Sequence, residues 1–317
     1  MTRERSAARR VLFHRDFRAP VGGHLKLWHY FNHVAALPGY CAQIYFTPES
    51  IWDEHNPWYG IRSTTLNQWN PADADLLFVA GMDWLALPET QPLSSRQPII
   101  NLVQGMRHAD PAHTLYQFLS RRAIRICVSQ EVAAAIGKTG RANGPILCIP
   151  NGTDIDPDEN PPSDRDIPLL IAGYKNPALA QQLAERLTRA GKSFLLLDNF
   201  VPRAQFLQLL ARSEVALLLP LPAEGFYLPA LEAMAMGALV ICPDCIGNRS
   251  FCLDRYNAFF TPYDAQSLFD AVMRADKLDV ATKTQLQRAA YDTARSHHLH
   301  HEATALKSIL DDLDSLW

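Results

Sequence analysis

The 317-residue chain has no apolar run approaching the roughly 18 residues that a membrane-crossing helix needs. It also lacks a charge excess: 30 basic against 33 acidic side chains leave a net charge of −3, so nothing global draws it to nucleic acid or to an anionic membrane. No G-x-G-x-x-G follows any strand candidate, which removes the fingerprint of a nicotinamide or flavin enzyme. The start MTRERSAARR leads into only Val11, Leu12 and Phe13 before charge returns, too short for the core of a secretory signal. Cysteine is sparse and scattered. Cys41, Cys127, Cys148, Cys242, Cys245 and Cys252 sit mostly in apolar surroundings and read as small buried hydrophobes of a reducing compartment. Cys242-x2-Cys245 with Cys252 lacks a fourth ligand at a zinc-site spacing, and the histidine run from His297 to His301 reads as a solvated helix face. The expectation is a cytoplasmic protein with no metal, no cofactor, no nucleic-acid partner and no transmembrane segment, peripheral membrane association remaining open.

What the chain does contain is a 48% hydrophobic composition, enough to bury cores readily, over a length that fits two domains. Short apolar runs alternate with amphipathic stretches, the pattern of buried parallel strands and crossover helices. Strands are expected in the first half at 10–13, 41–46, 76–80, 99–103, 124–128 and 146–149. In the second half they are expected at 169–172, 194–197, 215–219 and 238–241. Between the halves, DIDPDENPPSDRD carries Pro157, Pro161 and Pro162 among acids with no apolar period and reads as a linker. The division is therefore 1–153 as the first α/β domain, 154–166 as linker, 167–295 as the second domain and 296–317 as a terminal helix. Leu306, Ile309, Leu310 and Leu313 give that helix an apolar face that could return to the first domain.

The most informative segment follows the strand at 215–219. It runs Glu224-Gly225-Phe226-Tyr227-Leu228-Pro229-Ala230-Leu231-Glu232-Ala233-Met234-Ala235-Met236-Gly237. Pro229 suits a first helical turn and Gly237 a helix end, predicting a helix of about two turns. Its N-terminus falls at the carboxyl end of a parallel strand, where open α/β sheets bind ligands, and its free amides favour an anion. Glu224 lies in the loop before the helix and Glu232 about one turn inside it. A carboxylate accepts two hydrogen bonds at once, so Glu232 suits a vicinal diol such as ribose and Glu224 suits sugar hydroxyls.

Residues 224–240 resemble the E-x7-E signature, in its EGF-x-LP-x-LEAMA-x-G form, of the glycogen-synthase-like group of retaining GT-B glycosyltransferases (glycosyl transferases group 1). Ile126-Cys127-Val128-Ser129 and Ile149-Pro150-Asn151-Gly152 are similar to two further stretches of that family in the same order, and Asn257, Pro262 and Asp264 to a third. The resemblance implies two Rossmann-like domains facing across a cleft that close over the donor. It also implies metal-independent transfer, with retention, from a UDP- or GDP-linked sugar to a glycan or other small-molecule acceptor, of the kind used in polysaccharide biosynthesis. In that picture Glu224 contacts the donor sugar, Glu232 holds the ribose, and the backbone of Gly225, Phe226 and Tyr227 meets sugar and phosphate. Asp73-Ala74-Asp75, similar to the metal-binding motif of the other major glycosyltransferase fold, precedes its strand instead of ending one.

Further site residues follow from family position. Gly22 and Gly23, after the first strand, stand where the family has a glycine-rich loop, though a plain turn is nearly as good a reading. His108 follows the strand at 99–103, where the family often keeps a histidine near the sugar. Lys175 can take the family's phosphate lysine, but Tyr174 stands where its partner arginine is expected; Arg249, beside Asn248 in the loop after 238–241, could compensate. Phe200 could face the base. Two rivals stay open: a non-catalytic nucleotide-sugar-binding subunit, and another GT-B enzyme such as an epimerase.

Overall fold

The computed structural model describes residues 8–19, 22–88, 96–156 and 165–317. Its contacts divide into two units, one built from Met1–Pro150 with Glu302–Trp317 and the other from Asn151–His301. Residues 157–164 of the expected linker, with its prolines Pro157, Pro161 and Pro162, lie outside the described residues. Its flanks are tied into the second unit: Arg165 donates to the Met236 carbonyl at 2.9 Å, and Asp166 pairs with Arg212.

In the first unit, β1 (Arg9–Arg15), β2 (Tyr40–Phe46), β3 (Leu76–Ala80), β4 (Ile99–Val103), β5 (Ile124–Cys127) and β6 (Ile146–Cys148) form one sheet ordered β2-β1-β3-β4-β5-β6, with every pairing parallel. Alternation splits the strand residues between two packed faces. Phe13 stacks on Phe78 at 4.7 Å and meets Phe31 of α1 (Gly22–Ala35) edge-on at 5.4 Å. One residue out of step, Leu12 packs with Leu77, Val79 and Trp84, and with Leu115 of the short helix α2 (Thr114–Gln117). Helix α3 (Gln130–Lys138) starts on Ser129, whose hydroxyl accepts from the Val132 amide. Arg125, in the middle of β5 and fully buried, gives its guanidinium to the carbonyls of Ala123, Asn143, Phe118, Leu119 and Arg121.

The second unit repeats the plan. Strands β7 (Ile167–Ala172), β8 (Leu195–Leu197), β9 (Ser213–Leu218), β10 (Leu239–Pro243) and β11 (Phe259–Thr261) are ordered β11-β10-β9-β7-β8, again all parallel. The short Phe-Phe-Thr strand β11 was not among the expected strands, because three residues carry no readable period. Leu169, Ile171, Leu217 and Ile241 pack against Leu183 and Leu187 of α4 (Pro177–Arg189) and Leu268 and Val272 of α7 (Ala265–Asp276). The opposite face is covered by α5 (Arg203–Ala211) and α6 (Leu228–Ala235), and α8 (Val280–Ser296) packs on α6. Helix α6 ends as its sequence predicts, with Gly237 at φ +73° in the left-handed region.

Helix α9 (Leu299–Asp311) and α10 (Leu313–Leu316) follow, and their residues from Glu302 onward belong to the first unit. Leu306, Leu310 and Leu313 are buried, and the Tyr40 hydroxyl donates to the Leu310 carbonyl at 3.1 Å. The strongest tie is electrostatic. Glu302, with no exposed side-chain surface, accepts from Lys26 Nζ of α1 at 2.5 Å and meets His33 Nε2 at 3.0 Å. Removing one partner of a buried pair strands the other charge in a low-dielectric interior. Glu302→Ala is therefore expected to destabilise the first unit by about 3–5 kcal/mol, read as an earlier transition in urea unfolding of the full-length chain. A loss below about 1 kcal/mol, the range of an exposed pair, would show that the pair does not anchor the helix.

Candidate functional site

Each sheet changes direction once. In the second unit the order reverses between β7 and β9, the place where open parallel sheets form a crevice at the carboxyl ends of their strands. The residues after those ends are Gly173 to Asn176 and Pro220 to Tyr227. Lys175 Nζ reaches Glu224 Oε1 at 2.5 Å and lies 5.3 Å from the Tyr227 ring centre. The same Glu224 oxygen accepts from the Leu221 amide at 3.1 Å. Asn176 caps α4 through the Leu179 amide and donates to the Tyr263 hydroxyl, which in turn donates to the Pro220 carbonyl. The two loops are thus fastened to each other around the Lys175–Glu224 pair.

The loop that carries Glu224 is held from below by the turn after β10. The Glu224 amide donates to the Cys245 carbonyl and the Tyr227 amide to the Gly247 carbonyl. A Cβ at Gly247 would lie 2.7 Å from the Phe226 nitrogen and 2.8 Å from the Glu224 carbonyl oxygen, so only glycine allows this approach. The neighbouring Ile246 has φ +67°, a left-handed conformation that costs a β-branched residue about 1–3 kcal/mol.

Glu232, inside α6, is only 4% exposed. Its Oε1 accepts from Arg203 Nε at 2.7 Å, and the rest of that guanidinium forks onto Asp154, with Nη2 to Oδ1 at 2.5 Å and Nη1 to Oδ2 at 3.2 Å. Burial opposes the Arg203 charge, yet Glu232 and Asp154 together hold its pKa above the ordinary value. Residues Phe226 and Tyr227 are buried. The Phe226 ring stacks on Phe251 at 4.9 Å, with His297 beside both, so that part of the histidine run is packed instead of forming a solvated face. Phe200 is 45% exposed and meets the exposed ring of Tyr174 edge-on at 5.8 Å.

One expectation needs correction. Asn248 is fully buried, and its amide is used within its own turn: Nδ2 donates to the Pro243 carbonyl at 2.9 Å, and Oδ1 accepts from the Cys245 amide. Its side chain shapes the loop. Arg249, half-exposed, grips Asp244 with two hydrogen bonds of 2.7 Å. Arg203, Asp154 and Gly247 were not singled out from sequence. Asp154 fell in the stretch assigned to the linker, and an arginine opening a helix has no pattern to mark it.

Gly22, Gly23 and His108 belong to the first unit. Its sheet also reverses between β1 and β3, and a pocket of about 140 Å³ there is lined by Arg15, Gly23, His24, Gln104, Arg107 and His108 among others. Gln104 Nε2 donates to the Gly23 carbonyl, and a Cβ at Gly23 would come within 3.1 Å of Gln104 Oε1. No neighbouring atom lies within 4 Å of where a Gly22 Cβ would stand. Burial lowers the pKa of both His24 and His108 to about 4; Arg15 adds to the shift at His24, and Arg107, His113 and Arg125 add to it at His108. Both imidazoles are therefore neutral near pH 7.

Among the described residues no group of three or more His, Cys, Asp or Glu side chains could hold a metal ion, and no helix is long and apolar enough to cross a membrane. A histidine whose folded pKa is depressed contributes stability that is complete above its unfolded pKa and is lost as pH falls toward the folded one. Stability should hence decline between pH 6.5 and about 4, by an amount on the order of 3 kcal/mol for each of His24 and His108. Urea unfolding of wild type and a His24→Gln, His108→Gln double variant across that window checks this, since the variant should show a visibly shallower decline.

No curated protein is significantly similar in sequence. Among solved structures, Anabaena Alr3699/HepE in complex with UDP-glucose is 16% identical with a TM-score of 0.72, covering 97% of this chain and 100% of that one. Sucrose-phosphate synthase (tll1590) from Thermosynechococcus elongatus is 12% identical with a TM-score of 0.67, covering 97% and 99%. A glycosyltransferase from Rickettsia africae ESF-5 is 12% identical with a TM-score of 0.66, covering 95% and 97%. The two parallel-sheet units have the GT-B fold of these neighbours, and residues 158–275, which carry Lys175, Glu224 and Glu232, match the family model described as glycosyl transferases group 1.

Proposed function

We propose that the chain transfers a glycosyl group from a nucleoside-diphosphate sugar to an acceptor with retention at the anomeric carbon. The observation that carries this reading is the pair Glu224 and Glu232 flanking the start of α6 at the reversal point of the second sheet. Glu232 is assigned to the ribose diol. Arg203 already orients its carboxylate, which as a two-oxygen acceptor could take hydrogen bonds from two hydroxyls. Glu224 is assigned to donor-sugar hydroxyls and Lys175 to the diphosphate; their mutual ion pair would exchange for ligand contacts on binding. The backbone of Gly225, Phe226 and Tyr227 at the N-terminus of α6 adds amide dipoles for the leaving group, and Phe200 offers a face for the base. UDP is the favoured nucleotide, since the similar Anabaena protein is described in complex with UDP-glucose.

In the reaction, the acceptor oxygen bonds to the anomeric carbon while the carbon–oxygen bond to the diphosphate breaks. The departing phosphate oxygen takes the acceptor proton on the same face. Lys175 and the α6 amides would stabilise the leaving charge without a metal ion, and the protein's role is positioning and preorganised charge. His108, in the first unit, is a candidate sugar contact. The buried free thiols of Cys127, Cys242, Cys245 and Cys252 fit a reducing, cytoplasmic setting.

A second reading is a nucleotide-sugar-binding subunit without turnover. It is favoured by Tyr174 standing where a phosphate arginine is expected and by the engagement of Arg249 with Asp244. The two are separated by supplying UDP- and GDP-sugars to the purified protein and following nucleotide release with and without candidate acceptors. Glu232→Ala is expected to raise the nucleotide Kd by on the order of 10- to 100-fold, from loss of a charged hydrogen bond, whereas Glu224→Ala lowers kcat more than it alters Kd. Unchanged kinetics in both variants would remove the assignment, and tight nucleotide binding with no release would favour the subunit.

A further inference from the structure

Glu232 owes its resting position to a chain of contacts that ends well away from α6. Its partner Arg203 is the first residue of α5, which packs beside α6. A guanidinium is planar and presents its N–H groups in a fixed fork. Here Nε donates to Glu232 Oε1 at 2.7 Å, while Nη1 and Nη2 donate to the two oxygens of Asp154. The direction in which Glu232 offers its carboxylate is therefore tied to where Asp154 stands.

The segment that carries Asp154 is pinned in turn. The buried Thr153 donates its amide to the His297 carbonyl at 2.8 Å, its own carbonyl accepts from the Leu299 amide at 3.0 Å, and its hydroxyl accepts from the Ile155 amide at 3.3 Å. A Cβ at Gly152 would lie 3.0 Å from the His297 carbonyl oxygen and 3.1 Å from the Leu299 backbone, so this approach leaves little room for a side chain. Charge balance does not call for Asp154. Arg203 alone already answers Glu232, and a second carboxylate leaves the three side chains with an excess of negative charge. What Asp154 adds is direction, because a two-pronged grip fixes the plane of the guanidinium.

We propose that Arg203 and Asp154 set the preference of the nucleotide site for ribose over 2′-deoxyribose, Arg203 as the residue that positions Glu232 and Asp154 as the anchor that holds Arg203 in place while the carboxylate engages the ligand. The proposal rests on the assignment of Glu232 to the ribose diol. Both residues act through Glu232 and not on the ligand. Holding a diol calls on both carboxylate oxygens at once, so a preset Glu232 rewards the second hydroxyl, whereas a freely rotating one takes a single hydroxyl almost as well.

Titration calorimetry of the full-length chain with UDP and GDP, each beside its 2′-deoxy counterpart, reads the preference as a ratio of Kd values. Wild type is expected to favour the ribonucleotide by on the order of 10- to 100-fold, the worth of one hydrogen bond to a charged group, and Glu232→Ala to abolish the preference. Arg203→Ala should take the ratio most of the way to unity, and Arg203→Lys, which keeps the charge without the fork, should not restore it. Asp154→Ala, at a partly exposed site, should lower the ratio by a smaller step, and it alone decides if Arg203→Ala does not fold. In the Glu232→Ala background neither substitution should change the ratio further, since all act through one carboxylate. A purely structural Arg203 would lower Tm and weaken both nucleotides alike. A ratio that survives Arg203→Ala and Asp154→Ala therefore overturns the proposal while leaving the ribose assignment standing. A wild type without the preference, a preference that survives Glu232→Ala, or a protein that binds none of the four nucleotides removes the ribose assignment and this inference with it.

Discussion

A parallel strand is joined to its neighbour by a crossover that covers one face of the sheet, and both sheets here are parallel throughout and covered on both sides. Strand interiors are consequently apolar, and β3, β4 and β9 offer almost nothing that could act on a ligand. Chemistry is pushed to the strand ends. Lys175 and Glu224 follow β7 and β9, Arg15 ends β1 and Gln104 follows β4. In both units the strand order reverses next to the first strand, and in both the polar side chains gather at that reversal. Arg125, a buried charge inside a strand, is spent on five backbone carbonyls.

The candidate donor residues are occupied before any ligand arrives. Glu232 is held by Arg203, and Glu224 by Lys175 and the Leu221 amide. Such resting contacts restrict the carboxylates' rotamers, which lowers the ordering cost of binding. They differ in how readily they yield. Arg203 is forked onto Asp154 and can keep that partner while Glu232 turns toward a diol. The Lys175–Glu224 pair must open or share its ligand. Beneath both, the left-handed Ile246 and the bare Gly247 position the 224–227 loop through backbone contacts alone, so the strain in the turn after β10 is matched by the placement of the loop above it.

Much of the fold was legible because buried parallel strands write themselves as apolar runs. Leu76–Ala80 and Ile99–Val103 carry the same limits in sequence and in structure, whereas β11 was too short to show a pattern. The helix α6 was readable from Pro229 and Gly237, whose backbone preferences are local. The partners of Glu232 were not, since Arg203 meets it from 29 positions away and is itself held by Asp154 across 49, and nothing local marks them. Asn248 shows the opposite failure: it stood in the right loop, but its amide is consumed by that loop, which only the geometry reveals. For His108, sequence supplied a position, and the structure supplied its burial and its uniformly basic surroundings.

The first unit is discontinuous: the acid that neutralises Lys26 is 276 positions downstream, together with the leucines that complete the same face. During synthesis the N-terminal half must therefore wait, its ammonium and part of its apolar surface uncovered, until Glu302 and the leucines after it have left the ribosome. The unit made later is the one whose residues are contiguous, so it can close first, and the order of maturation runs against the order of translation.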